Sequence, residues 1–176
     1  MSLARKKLLR VVQLVLAVVA GFTLSGCVQP LYGSLGADGG AVAGELQAIA
    51  VDPVPTRLGH YLTNDLIFAF NGTGSSVAPK YRLRITITEA SQSPLLDTVS
   101  GYPTAGNIVA TADYQLLPVE GGSPVATGHT IVLSSYDRTS QRFADLRAAR
   151  DAEIRDAKSL ADQISTNVAS ALTSHR

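Results

Sequence analysis

Apolar positions recur with two different periods along the chain, and the two periods predict its elements. Over residues 81–88 apolar and polar side chains alternate, which is typical of a strand with one buried face. Residues 107–117 and 125–133 are predicted to be two more strands, joined by a hairpin loop over residues 118–124. The apolar run over residues 46–51, which two prolines close, predicts a short strand.

Helical periodicity occurs twice. Between residues 57 and 70 apolar residues recur at spacings of three and four, with Thr56 as the expected N-cap and Asn71-Gly72 at the end. A long amphipathic helix is predicted from about Gln141. Its apolar stripe is predicted to comprise Ile154, Ala157, Ala161, Ile164, Val168 and Ala171, widened by Leu160 and Leu172. Its polar face is predicted to comprise Asp151, Arg155, Asp156, Lys158 and Asp162.

The predicted order of elements is therefore β-α-β-β-β-α. The predicted sheet has one apolar face, and each helix has one apolar stripe. All of these surfaces are buried when the helices pack on the sheet. We therefore predict an α+β fold, a two-layer sandwich of two helices on a four-stranded, mostly antiparallel sheet.

Composition restricts the function mainly by exclusion. A chain of 176 residues with 45% apolar and 16% charged residues holds one ordinary domain and is not wholly disordered. From residue 27 onward the formal net charge is about −3, which is unfavourable for nucleic-acid binding. The single cysteine excludes an intrachain disulfide, and the three isolated histidines have no metal-ligand spacing. No nucleophile elbow or phosphate-binding loop is present, so we predict no enzyme, no metal and no cofactor.

The N-terminus has the layout of a secretory signal. Four basic residues precede an apolar stretch over residues 11–24, which at 14 residues is short for a membrane span of about 20. Leu24-Ser25-Gly26-Cys27 resembles the lipobox of bacterial lipoproteins. This resemblance implies a signal peptide over residues 1–26, acylation of Cys27 and, because Val28 follows, sorting to the outer membrane. Residues 27–44 are expected to form a flexible tether, and residues 45–176 a single domain.

Two groups of basic residues have alternative interpretations. Lys80, Arg82 and Arg84 form a row on one strand face, with no acidic residue nearby in sequence until Glu89. The row is either a solvated face that protects a sheet edge or a site for phosphate groups. The second group alternates with acids, which favours a salt-bridged helix surface: Arg142, Arg147, Arg150 and Arg155 with Asp145, Asp151, Glu153 and Asp156.

Several motifs, taken in order, resemble the LPS-assembly lipoprotein family LptE. The segment over residues 27–33 resembles the family start C-G-F-x-P-L-Y-G, with Val28-Gln29 in place of Gly-Phe. Residues 57–66 match its R-x-G-x-x-L-x-N-x-L helix, and residues 110–116 its A-x-A-x-Y-x-L strand. The resemblance covers essentially the whole mature chain. No single motif is specific, but the ordered set is.

The resemblance implies a non-enzymatic lipoprotein of the lipopolysaccharide export translocon. Such a protein is anchored in the outer membrane by acyl chains, faces the periplasm and plugs the lumen of the β-barrel LptD in a 1:1 complex. It also assists assembly of that barrel and binds lipopolysaccharide. An auxiliary lipoprotein of another envelope lipid-transport system is the alternative, and a lipid-tethered hydrolase is a third. Lys80, Arg82 and Arg84 are our candidate contacts for the phosphates of lipopolysaccharide.

Overall fold

The computed structural model describes residues 39–72, 77–93, 101 and 103–174. The predicted signal peptide, Cys27 and most of the predicted tether lie outside these residues. In chain order the described elements are α1 (Gly39–Gln47), β1 (Ile49–Val51), α2 (Arg57–Asn71), β2 (Tyr81–Gln92), β3 (Ala105–Pro118), β4 (Ala126–Asp137) and α3 (Arg142–Ser174).

The four strands form one sheet in the order β1-β2-β3-β4. β1 pairs parallel with β2, whereas β2–β3 and β3–β4 are antiparallel with unbroken one-to-one registers. Helices α2 and α3 pack against each other, and α3 also packs on β3 and β4. The predicted α+β fold, with a four-stranded and mostly antiparallel sheet, is confirmed. The described residues add one helix, α1, ahead of the first strand.

Helix α1 occupies residues for which the sequence predicts a tether and the start of a strand. Val42 and Leu46 lie one helical turn apart and are both buried in the core. Only Ile49–Val51 pairs with β2. The domain boundary expected at residue 45 therefore falls within α1. A run of a few apolar residues does not distinguish a strand from a buried helix end.

Helix α2 follows its sequence pattern closely. The Thr56 hydroxyl accepts a hydrogen bond from the Gly59 amide at 3.0 Å, which confirms Thr56 as the N-cap. One side of the helix is buried through Leu58, Leu62, Leu66 and Phe70. At the other end Gly72 has a right-handed backbone, with φ of −57°, and not a left-handed one.

The buried face of α3 includes most of the predicted stripe but differs from it at several positions, mainly near the start of the helix. It follows two rows of residues spaced by four: Ala152, Asp156, Leu160, Ile164, Val168 and Leu172, with Glu153, Ala157, Ala161, Ser165 and Ala169 beside them. Ile154 was expected inside but is exposed, and Asp156 was expected outside but is only 1% exposed. Residues spaced by four form ridges along a helix, and these ridges pack when helices cross obliquely. Because such a ridge is inclined to the helix axis, the buried face of α3 turns gradually around the helix. A fixed period of 3.6 residues cannot follow that turn.

Candidate functional site on the open face of the sheet

Helices α2 and α3 cover one face of the sheet, and no described helix packs on the other, which we call the open face. On the open face the registers align residues of neighbouring strands into rows that run across β2, β3 and β4. Two adjacent rows are polar: Arg84-Gln115-Thr127 and Thr86-Asp113-His129. Towards the far end of β2 the rows are uncharged: Thr88-Thr111-Ile131 and Ala90-Val109-Leu133. The row beyond them, Gln92-Asn107-Ser135, is polar again. The open face therefore has a charged end and, further along the strands, an uncharged band that includes Ile131 and Leu133.

The predicted basic row lies at the charged end and has an acidic partner. Arg82 Nε lies 3.4 Å from Asp52 Oδ1, and Arg84 Nε lies 3.9 Å from Asp52 Oδ2. Asp52 is held there because its amide donates to the Leu83 carbonyl at 2.9 Å, which continues the parallel ladder beyond β1. Both guanidinium groups remain more than half exposed. No acid precedes Glu89 in the sequence of this row, but the segment that follows β1 places Asp52 beside it from a distant part of the sequence.

Lys80 belongs to the same end of the sheet. Its amide donates to the Ala48 carbonyl at 2.8 Å, and its carbonyl accepts from the Val119 amide at 2.9 Å. These two bonds fix the backbone between β1 and the end of β3. The Lys80 side chain is exposed and forms no ion pair with any described residue. Arg82 and Arg84 thus both contact the Asp52 carboxylate, and Lys80 lies next to them without an acidic partner among the described residues.

A second polar pair lies on the next strands. His129 Nδ1 lies 2.7 Å from Asp113 Oδ1, and both side chains are more than half exposed. With Arg84 and Thr127 they line a shallow depression on the open face. The sequence did not indicate this pair, because only the β3–β4 register makes the two residues neighbours. The arrangement offers donors and acceptors for a polar ligand. The described residues include no group of three metal-ligating side chains that could hold an ion.

A separate polar cluster lies between the helices and the sheet. Arg57, at the start of α2, pairs through two nitrogens with both carboxylate oxygens of Glu153 on α3, and this bond raises the pKa of Arg57. Desolvation raises the pKa of Glu89 on β2, and the neighbouring Glu153 carboxylate raises it further. Burial also raises the pKa of Asp156. The hydrogen bond that Ser134 Oγ donates to Asp156 at 2.6 Å opposes this increase but is the smaller effect. This cluster ties α2, α3 and the sheet together.

The two-layer arrangement is shared with solved structures of bacterial lipoproteins. A crystal structure from Caulobacter crescentus, described as a lipoprotein, is 21% identical with a TM-score of 0.63, and the match covers 76% of this chain and 97% of that one. The crystal structure of rare lipoprotein B from Shewanella oneidensis is 13% identical with a TM-score of 0.55, and the match covers 72% and 95% of the two chains. At these identities the likeness defines the fold. No curated protein sequence matches the chain.

The family is defined by a separate comparison. The model of the lipopolysaccharide-assembly family LptE matches residues 46–168, which include all four strands and most of α3. The chain therefore belongs to the LptE family of lipopolysaccharide-assembly proteins, as its motifs predict. None of the described helices is both long enough and apolar enough to cross a membrane.

Proposed function

We propose that the chain is a lipid-anchored, non-enzymatic component of the lipopolysaccharide export translocon in the outer membrane. In this role it occupies the lumen of an LptD-type β-barrel in a 1:1 complex, assists assembly of that barrel and binds lipopolysaccharide. The observation that carries the proposal is the family match over residues 46–168. The anchor is the acylated Cys27, the last residue of the lipobox.

The charged end of the open face supports a role in binding phosphate groups. Lipid A carries phosphates, and a guanidinium group offers a fork of donors that suits them. Arg82 and Arg84 converge on the Asp52 carboxylate, so their donors already point to one place. A phosphate that binds there competes with Asp52 for both side chains, and Lys80 adds a third positive charge at the edge of the site.

The uncharged band of the open face supports a role in contacting a protein partner. Ile131 and Leu133 are each 57% exposed on β4, which is one of the two edge strands of the sheet. An exposed apolar patch on an unpaired edge strand favours a covering partner. The wall of a surrounding β-barrel supplies such a cover in this proposal.

The test is a mild-detergent pull-down of the tagged full-length chain from outer membranes, with mass spectrometry of the proteins that accompany it. We expect one large β-barrel in a 1:1 ratio. The variant Ile131→Ser should recover less of it, whereas Ile67→Ser, which changes an exposed residue on α2, should not. An inner-membrane transporter in place of the barrel would favour the auxiliary lipoprotein of another transport system. Recovery of no stable partner would contradict the proposal.

A further inference from the structure

The first turns of α3 carry an outward-facing stripe of large apolar and basic side chains. Phe143, Leu146, Arg147, Arg150 and Ile154 recur at spacings of three and four, so they lie on one side of the helix. We call these five residues the Phe143 stripe. Phe143, Leu146 and Ile154 are 76%, 52% and 41% exposed, respectively. At 1.5 Å per residue the stripe extends for about 16 Å.

The stripe faces away from the body of the protein. The opposite side of the same turns carries Ala148 and Ala149, which are half-buried, and Ala152 and Glu153, which are buried. That side packs towards the sheet and α2. The Phe143 stripe therefore contributes little to the core. A phenylalanine exposed to this extent buries little apolar area, so its ring contributes little to the stability of the fold.

Most of the basic residues in this segment form no ion pair with the described residues. Asp145 accepts a hydrogen bond from the Thr139 amide at 2.7 Å and lies 3.7 Å from Arg138 Nε. Asp151 pairs with Arg155. The remaining arginines, Arg142, Arg147 and Arg150, have no carboxylate partner within the described part of the chain. The predicted salt-bridged surface therefore reduces to the single pair of Asp151 and Arg155.

Arg142 also lies at the unfavourable end of the helix. Peptide dipoles give the first turn of a helix a partial positive charge, so a cation there is destabilising. Arg147 and Arg150 lie beyond that turn, where the dipole neither favours nor opposes them. The chain from residue 27 onward has a net negative charge, and the unpaired arginines are a local exception to it. Side chains that serve neither the helix nor the core, and that combine positive charge with exposed apolar area, fit an anionic and partly apolar partner.

We propose that the Phe143 stripe docks on the surface of an anionic phospholipid bilayer. Phe143, Leu146 and Ile154 enter the boundary between headgroups and acyl chains, while Arg147 and Arg150 bind headgroup phosphates. This interaction is separate from the proposed role in lipopolysaccharide export and does not depend on it.

Docking of this kind also orients the sheet. Four residues separate the start of α3 from the end of β4. The end of β4, the start of β3 and the end of β2 all lie at the same end of the sheet. Arg82 lies near the opposite end of β2, ten residues from Gln92. At about 3.3 Å per residue the two ends of the strand are about 33 Å apart. The phosphate-binding end is thereby held away from the bilayer that the stripe contacts.

The experiment is photo-crosslinking of the full-length chain in intact cells. p-Benzoylphenylalanine replaces Phe143 in one variant and Phe68 in a matched control, because Phe68 on α2 is 75% exposed but lies outside the stripe. After irradiation the purified adducts are identified by mass spectrometry. We expect phospholipid adducts at position 143 and several-fold fewer at position 68. Equal phospholipid yields at both positions, a lipopolysaccharide or protein adduct at position 143, or no adduct there, would each overturn the proposal.

The role of charge is tested in the same assay. Arg147→Gln and Arg150→Gln, introduced with the crosslinker at position 143, should each lower the phospholipid adduct by about fivefold, the factor for one basic residue at an anionic surface. Arg155→Gln removes the same charge from an arginine that lies outside the stripe and pairs with Asp151, so it is the matched control and should leave the adduct yield nearly unchanged. Unchanged yield in the Arg147 and Arg150 variants would contradict bilayer docking. Recovery of the β-barrel by these variants shows separately whether the export role is intact.

Discussion

Tyr136 lies against Gly106, its direct partner across the β3–β4 pair, so closely that a Cβ atom on Gly106 would overlap the ring. The same relationship recurs near the hairpin loop, where Tyr114 lies against its partner Gly128. Both contacts are on the helix-covered side of the sheet. Each ring covers the backbone of a glycine, which offers no side chain of its own for packing. Glycine is required here for close approach.

The first prediction concerns these two glycines. Gly106→Ala and Gly128→Ala should each lower the free energy of unfolding by about 1–3 kcal/mol, because the added methyl group forces the facing tyrosine ring to move. Gly44→Ala is the matched control. Gly44 lies within α1 with open space around its Cα, so alanine should raise the stability by up to about 1 kcal/mol. Urea unfolding measures all three, and equal effects at the three sites would contradict the packing argument.

The second prediction concerns Arg57 and Glu153. Arg57→Ala leaves a carboxylate that is 5% exposed without its cation, so we expect a loss of about 1–3 kcal/mol. Combining it with Glu153→Ala should cost less than the sum of the two single changes, because no unpaired charge remains. A double-mutant cycle measured by urea unfolding gives the coupling. The exposed pair Asp151 and Arg155 is the control, with an expected coupling of about 0–1 kcal/mol.

The third prediction concerns the pH dependence of stability. Asp156 is buried, one of its carboxylate oxygens has no hydrogen-bond partner, and its pKa is raised in the folded state. The folded chain therefore binds this proton more tightly than the unfolded chain does. The stability that Asp156 contributes is present below the unfolded pKa of about 3.9 and is lost as the pH rises through the folded pKa.

Asp156→Asn removes this dependence because the amide does not titrate. Relative to the parent chain, the free energy of unfolding of the variant should increase as the pH rises from about 3.5 to about 7. The hydrogen bond from Ser134 can be kept by the amide oxygen. Asp162→Asn, which changes an exposed acid on the same helix, serves as the control. A constant difference between variant and parent across this pH range would contradict the assignment.

The fourth prediction concerns the competition between Asp52 and phosphate. Asp52→Asn removes the carboxylate that neutralises Arg82 and Arg84, so the affinity for lipopolysaccharide should rise by about fivefold, equivalent to about 1 kcal/mol. Arg82→Ala combined with Arg84→Ala should lower it. Asp162→Asn controls for the change in net charge. Affinity measured at low and high salt should show the stronger effect at low salt. Unchanged affinity in the double arginine variant would exclude this row as the contact.

The fifth prediction concerns the anchor. Cys27→Ala should block acylation and leave an uncut precursor, because the processing implied by the lipobox requires the thiol at that position. Metabolic labelling with palmitate, together with the electrophoretic mobility of the chain, measures both effects. Ser25→Ala is the control, since it keeps a small residue beside the cleavage site. Normal processing of the Cys27 variant would contradict the lipobox assignment.

The sequence predicted those parts of the fold that depend on local periodicity. The alternation over residues 81–88 and the N-cap at Thr56 are properties of neighbouring residues, and both are confirmed. The phase of α3 depends on how it crosses α2, and a single-helix period carries no information about that crossing. The pairing of Arg82 with Asp52 depends on the parallel register of β1. Contacts between distant segments become visible only once the strands are aligned.

The parallel pairing of β1 with β2 has a consequence for the order of folding. β2, β3 and β4 follow one another in the chain and pair as antiparallel neighbours, so their contacts close short loops. β1 contributes three paired residues, and Ile49 meets Tyr81 only across the intervening helix α2. Closing that longer loop costs more chain entropy for fewer contacts. We therefore expect β2, β3 and β4 to pair first and β1 to be added last, so that the strand synthesised first is the last to join the sheet.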